Sequence, residues 1–232
     1  MSITIIDRME QKYFISFEKF NKLMNLIKDK LVKDKYFDER IYNVYFDNDE
    51  YDLIIKSLDK PVYKEKIRLR SYSRANSNTN VFLEMKKKYD GHGNKRRVDI
   101  NYLEAKNYID NNVLPETNKQ IMMELDYVFK KNDLKPKISL TYDRLSYAFK
   151  EDETYRITFD TNIRYSNKKL DLVDLDDEEC LFDDGYIMEV KTLKGYPVWF
   201  INALSNLKIY PVSYSKVGEA YLRLKERNEL YV

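Results

Sequence analysis

A chain of 232 residues with 43% hydrophobic and 34% charged side chains can bury a sizeable core, and it is neither disordered nor membrane-embedded. Lys plus Arg total 41 against 39 Asp plus Glu, a formal net charge of +2, so any basic surface must come from local sorting of charge. One Cys (Cys180), one His (His92) and five Gly exclude an internal disulfide, a thiolate or His-rich metal cluster, a dinucleotide fingerprint and a P-loop, which leaves side chains to do any phosphate binding.

Along the chain, Met1 to Arg8 has too short an apolar run for a signal peptide, and Arg8, Glu10 and Lys12 alternate with Met9 and Tyr13 as in a strand. Ser16 predicts the cap of a helix whose apolar stripe is Phe17, Phe20, Met24, Ile27 and Leu31. Strands follow at Ile41–Phe46, Lys64–Tyr72, Val81–Lys88 and Arg96–Ile100. Arg74 to Asn80 reads as a loop, and Tyr89-Asp90-Gly91-His92-Gly93-Asn94 as a hairpin connection in which His92 is a loop residue. Helices are expected over Tyr102–Ile109 and Asn118–Lys130. Further strands are expected over Lys137–Phe149, Thr154–Ile163 and Gly185–Lys191. The acidic run Asp171 to Asp184 reads as a solvated loop. Pro197 suits the first turn of a helix running to about Lys208, and Ser213 or Ser215 caps the last helix, through Ala220, Leu222 and Leu224. The longest uncharged stretch, Gly195 to Leu207, is too short to cross a bilayer, so the chain is expected to be soluble and cytoplasmic. Many strands with a few helices predict an α+β fold on a mainly antiparallel sheet.

The strands carry the functional signal. Lys66, Arg68 and Arg70 share one face of their strand and Ile67 and Leu69 the other. Phe82, Glu84, Lys86 and Lys88 alternate with Val81, Leu83 and Met85. Arg156, Thr158 and Asp160 oppose Ile157 and Phe159, while Glu189 and Lys191 oppose Met188 and Val190. One such strand is an ordinary half-wet strand. Across five strands, with amphipathic helices available to cover the apolar sides, the pattern predicts charged faces turned into a polar channel. Excess Lys and Arg there suit a polyanion, and the few carboxylates suit a hard divalent cation bridging its phosphates.

The ordered set Arg8-Met9-Glu10-Gln11-Lys12-Tyr13, Tyr45-Phe46-Asp47, Lys66-Ile67-Arg68-Leu69-Arg70-Ser71-Tyr72, Val81-Phe82-Leu83-Glu84-Met85-Lys86, Tyr142-Asp143-Arg144, Arg156-Ile157-Thr158-Phe159-Asp160-Thr161, Met188-Glu189-Val190-Lys191 and Tyr214-Ser215-Lys216-Val217-Gly218 resembles the catalytic domain of the vacuolar transporter chaperone (VTC) family, polyphosphate polymerases among the triphosphate tunnel metalloenzymes. The resemblance covers almost the whole chain and implies a single domain, 1–232, built as a roughly eight-stranded antiparallel, tunnel-like β-barrel wrapped by helices. It implies ATP and inorganic polyphosphate as partners, with Mn2+ or Mg2+ as cofactor and no nucleic acid. By position, Lys12, Arg68, Arg70, Lys86, Arg156 and Lys216 would hold phosphates and, with Glu189, carry catalysis. Lys95 or Arg97 would supply another phosphate ligand, Lys191 and Arg144 would line the same wall, and Asp160 would lie beside them. Glu189 would be the main metal ligand, with Glu10 and Glu84 helping through water or as ion-pair partners.

Related triphosphate hydrolases often begin Glu-x-Glu-x-Lys, and Arg8 stands here at the first of those positions, which tilts the reading toward the polymerase branch. Eukaryotic members also carry a phosphate-sensing domain and membrane helices, neither of which is legible in these residues. The rival readings are a tripolyphosphatase or nucleoside triphosphatase using the same tunnel, with Glu10 or Glu84 orienting water, and a non-catalytic module that grips polyphosphate or RNA.

Overall fold

The computed structural model describes residues 9–59, 61–90, 92–173 and 178–230. Arg8, Gly91, Asp174, Asp176 and Asp177, which entered the sequence reading, lie outside them. Ten strands and six helices follow in the order β1 (Met9–Ile15), α1 (Phe17–Ile27), β2 (Leu31–Asp47), α2 (Asp52–Leu58), β3 (Tyr63–Ser71), β4 (Asn80–Tyr89), β5 (His92–Asn101), α3 (Tyr102–Asn111), α4 (Lys119–Lys131), β6 (Lys135–Phe149), β7 (Arg156–Ser166), β8 (Glu179–Cys180), β9 (Tyr186–Thr192), α5 (Val198–Asn206), β10 (Pro211–Val212) and α6 (Lys216–Glu226). The expected α+β fold on an antiparallel sheet is what the chain adopts. The strand order is β10-β1-β9-β7-β6-β2-β3-β4-β5, with β8 on β7. That order has two ends among the described residues and ten strands, where a tunnel-like barrel of roughly eight was expected. No helix in the described residues is long and apolar enough to cross a membrane.

The chain forms two compact units. The first comprises residues 1–39, 142–163 and 182–214, and the second residues 40–141, 164–181 and 215–232. In the first, α1 and α5 bring Leu23, Ile27, Phe200, Ala203 and Leu204 onto the apolar sides of β1, β7 and β9, namely Tyr13, Ile15, Ile157, Phe159, Met188 and Val190. In the second, α3 and α4 bring Tyr102, Ala105, Tyr108, Met122, Leu125, Val128 and Phe129 onto Ile67, Leu69, Val81, Leu83, Met85, Val98 and Ile100. Each fully buried side chain of this kind contributes about 1.5–3 kcal/mol. The period-two alternation therefore fixes Lys66, Arg68, Arg70, Glu84 and Lys86 in the second unit, and Lys12, Glu189 and Lys191 in the first, on the side away from these apolar side chains.

Local chemistry sets the ends. Ser16, Asn101, Asn118 and Ser215 each accept a backbone N–H in the first turn of α1, α3, α4 and α6, and Asn101 with Glu104 forms a reciprocal capping box. Pro197 sits at the N-cap of α5. The hairpin after β4 is tighter than the sequence suggested. Tyr89 pairs with His92, and Asp90 turns the chain with φ +44°. His92 is exposed at the first position of β5.

Candidate functional site

In the second unit, the cross-strand register assembles the charges into rows. Asn43, Arg70, Phe82 and Asp99 stand opposite one another across β2, β3, β4 and β5. Tyr45, Arg68, Glu84 and Arg97 form the next row, and Lys66, Lys86 and Lys95 the one after. Successive rows are about 7 Å apart, two residues along a strand. Lys95 and Arg97 both face this side, whereas Arg96 points to the helices and donates to Glu124 of α4 at 2.9 Å.

Glu84 is the organising carboxylate. It is 2% exposed and lies among cations, with Arg68 Nη2 at 2.7 Å, Lys95 Nζ at 2.5 Å and Arg97 Nε at 3.6 Å. Burial raises its pKa, but Arg68, Arg70 and Lys95 outweigh burial and hold the carboxyl down at about 2. Burial pushes the Lys95 ammonium down, against the pull of Glu84. Two residues outside the expected set fix the arginines. Tyr45 Oη accepts from Arg68 Nη1 at 3.2 Å, and Asn43 Oδ1 accepts from Arg70 Nε at 2.9 Å. Asn43 in turn donates to the Leu140 carbonyl at 3.0 Å. The sequence signal for Asn43 was a polar amide inside the otherwise apolar run Ile41–Phe46. Lys66 donates to Ser215 Oγ at 2.7 Å, the same hydroxyl that caps α6, and Lys216 is the first residue of that helix.

In the first unit, Glu10, Lys191 and Arg156 form one row across β1, β9 and β7, and Lys12, Glu189 and Thr158 the next. Glu189 is 8% exposed, with Oε1 2.7 Å from Lys191 Nζ and Oε2 3.8 Å from Lys12 Nζ. Lys12 also lies 3.6 Å from Glu10 and donates to the Tyr214 carbonyl at 3.2 Å. Arg144 makes a bidentate pair with the fully buried Asp160, at 2.6 and 2.7 Å. Burial opposes its charge, yet Asp160 raises the Arg144 pKa well above the ordinary guanidinium value. Arg156 is more exposed than a buried phosphate ligand would be, at 59%, and reaches Asp34 at 3.7 Å.

Among the described residues no three His, Cys, Asp or Glu cluster as a metal site. The first unit nonetheless offers two carboxylates in adjacent rows, Glu189 and Glu10, and beside Glu189 the buried hydroxyl of Thr158, which lacks a hydrogen-bond partner. One or two carboxylates plus water and phosphate is how a protein holds Mg2+ or a similar hard cation, so this donor set fits such an ion.

Glu178 departs from the solvated loop expected of its acidic run. It is 3% exposed, accepts from Thr141 Oγ1 at 2.9 Å and lies 3.8 Å from Arg40. Burial raises its pKa, against the hydrogen bond from Thr141 and the charges of Arg40 and Arg164.

A family profile described as the VTC domain matches residues 7–225. Subunit 4 of the vacuolar transporter chaperone complex of Schizosaccharomyces pombe is 25% identical over 148 residues, which is 54% of this chain and 20% of that protein. The chain thus spans about a fifth of that relative's length. Among solved structures, a candidate adenylate cyclase from Bacillus halodurans superposes with a TM-score of 0.55 at 16% identity, covering 90% of this chain and 95% of its own. The PH1819 protein of Pyrococcus horikoshii reaches 0.48 at 17% identity, covering 96% and 99%. At these identities the first of the two structures bears on the fold alone.

Proposed function

From the premise that the chain belongs to the VTC domain family, we propose that it is a polyphosphate polymerase that transfers the γ-phosphoryl group of ATP to the end of an inorganic polyphosphate chain. The observation that carries this reading is the sorted charge of β3, β4 and β5. Lys66, Arg68, Arg70, Lys86, Lys95 and Arg97 share one face with a single buried carboxylate, Glu84, in a protein whose overall charge is close to zero. An ion-paired scaffold needs no such excess of cations, and a string of phosphates does.

In the proposed reaction a terminal phosphate oxygen of the chain attacks the γ-phosphorus. The bond to the bridging oxygen breaks, ADP leaves with that electron pair, and the chain grows by one phosphate. The acceptor is already an anion, so no general base or nucleophilic side chain is needed. The work falls to positioning and charge stabilisation. Arg68 and Arg70, fixed by Tyr45, Glu84 and Asn43, present preset guanidinium forks. Lys86, Lys95 and Lys216 add point charges, and Lys12, Lys191 and Arg156 are the corresponding groups of the first unit. Arg144 serves there mainly as the partner of Asp160. A divalent cation, Mn2+ or Mg2+, held by Glu189 with Glu10 nearby, would neutralise phosphate charge when bound.

The test is the product formed from ATP and Mn2+ by the pure protein, resolved on a polyphosphate gel. Long chains that disappear in Arg68→Ala and in Glu189→Gln, with both variants folded, are the expected result. Free phosphate alone would assign the protein to the triphosphatases, and ATP bound without turnover would make it a binding module.

A further inference from the structure

The basic face of the second unit ends in a group that phosphate binding leaves unexplained. Phe82 stands on that face, opposite Arg70 on β3 and Asp99 on β5, two residues beyond Glu84. An aromatic ring there takes no part in the core beneath the helices. Instead the Arg97 guanidinium lies over it, 3.3 Å from the ring centroid, and the Tyr72 ring meets it edge-on at 5.5 Å. Tyr72 is 37% exposed, and the Asp99 side chain is 62% exposed and 3.5 Å from Arg97. The face therefore changes character along its length. It runs from the row Lys66, Lys86 and Lys95, through Arg68, Glu84 and Arg97, to Arg70, Phe82 and Asp99.

A nucleoside triphosphate has the same gradient, anionic at one end and flat, aromatic and weakly polar at the other. We propose that Tyr72, Phe82, Arg97 and Asp99 form a nucleobase-binding end, which orients a nucleoside triphosphate with its base at Phe82 and its terminal phosphate toward Lys66 and Lys86. This rests on the triphosphate reading above and adds to it a direction and a recognised base. A guanidinium with one face on a ring offers its other face to a second aromatic system, and a stacked base on such a platform is held regardless of its hydrogen-bonding pattern. The Asp99 carboxylate can only accept, so it favours a base carrying a ring N–H or an exocyclic amine, and it repels phosphate from this end. Arg97 is thereby assigned a stacking role in place of the phosphate contact expected from sequence.

Calorimetric titration of ATP and of inorganic tripolyphosphate into wild-type protein, Phe82→Leu and Tyr72→Leu tests this. Both variants should bind ATP about tenfold more weakly, the low end of a lost base stack, and bind tripolyphosphate within about twofold of wild type. Unchanged tripolyphosphate affinity also shows that each variant is folded. Equal losses for the two ligands, or no loss for ATP, would overturn the base end while leaving the triphosphate reading in place. If wild-type protein binds neither ligand, the triphosphate reading falls and the base end with it.

Discussion

Glu84 shows how one buried side chain can couple stability to pH. A carboxyl held at about 2 against an ordinary 4.5 binds fewer protons in the folded state than in the unfolded one at mildly acid pH. The stabilisation, on the order of 3 kcal/mol, is fully present above the unfolded value and is lost as pH falls from there through the folded value. Glu84→Gln should therefore lower the stability measured in urea at pH 7 by roughly 2–3 kcal/mol and flatten its decline between about pH 5 and pH 2. An acid limb identical to wild type would show that Glu84 carries no such coupling. Asp160 and Arg144 make the complementary case, a buried pair whose disruption leaves a cation without its counter-charge. Asp160→Ala should cost about 3–5 kcal/mol in chemical denaturation. The double variant Arg144→Met/Asp160→Leu should recover most of that, because replacing both ions removes the uncompensated charge. A double variant no more stable than the single would mean that packing, and not charge, sets the cost.

At the scale of elements, the sequence was most legible where one local rule governs. Ser16 caps the helix it was expected to cap, Ser215 and not Ser213 caps the last one, and the alternating faces of β3, β4, β7 and β9 are those read from period two. Legibility failed where a distant partner supplies the rule. Helix α2 was missed because its N-cap is Tyr51, in a left-handed conformation with no capping side chain. The carboxylate of Asp47 accepts from the Leu53 and Ile54 N–H groups instead, from outside the capping position. Strand β2 was read as Ile41–Phe46 but begins at Leu31, because Lys33 to Arg40 is too polar to read as a strand. Strands β8 and β10 are two residues each, too short for any periodicity. Gly185 marks another such dependence. It precedes β9 with φ +112°, and a Cβ there would lie 2.4 Å from the Ile15 carbonyl oxygen. A glycine suits this approach, next to the Ile15–Tyr186 pair that begins the β1–β9 ladder. Gly185→Ala should lower the unfolding midpoint by the equivalent of roughly 1–3 kcal/mol. A variant with wild-type stability would show that the strand entry tolerates a side chain.

For the molecule as a whole, period two was readable on β3, β4, β7 and β9, but it left open whether Lys95 or Arg97 shares the face of Glu84, where both stand, and it did not reveal the pairing of strands. Within the order, β1 beside β9 and β6 beside β2 join segments far apart in the chain, and no local pattern encodes which distant partner a strand finds. What the register adds is the cost of the arrangement. Lys66, Lys86 and Lys95 stand directly opposite one another, and like charges in that relation destabilise a sheet. Under the proposed function, a bound polyanion would offset this cost. Removing one charge of the row should separate the two quantities. Lys86→Gln should unfold at the same temperature as wild type or higher in the absence of ligand. With tripolyphosphate at a hundred times the wild-type dissociation constant, wild type should gain about 2.7 kcal/mol, and a variant bound tenfold more weakly only about 1.4 kcal/mol. Thermal melts with and without tripolyphosphate measure both. A Lys86→Gln protein that is less stable without ligand yet gains the full increment with it would show that the lysine row supports the sheet and does not hold phosphate.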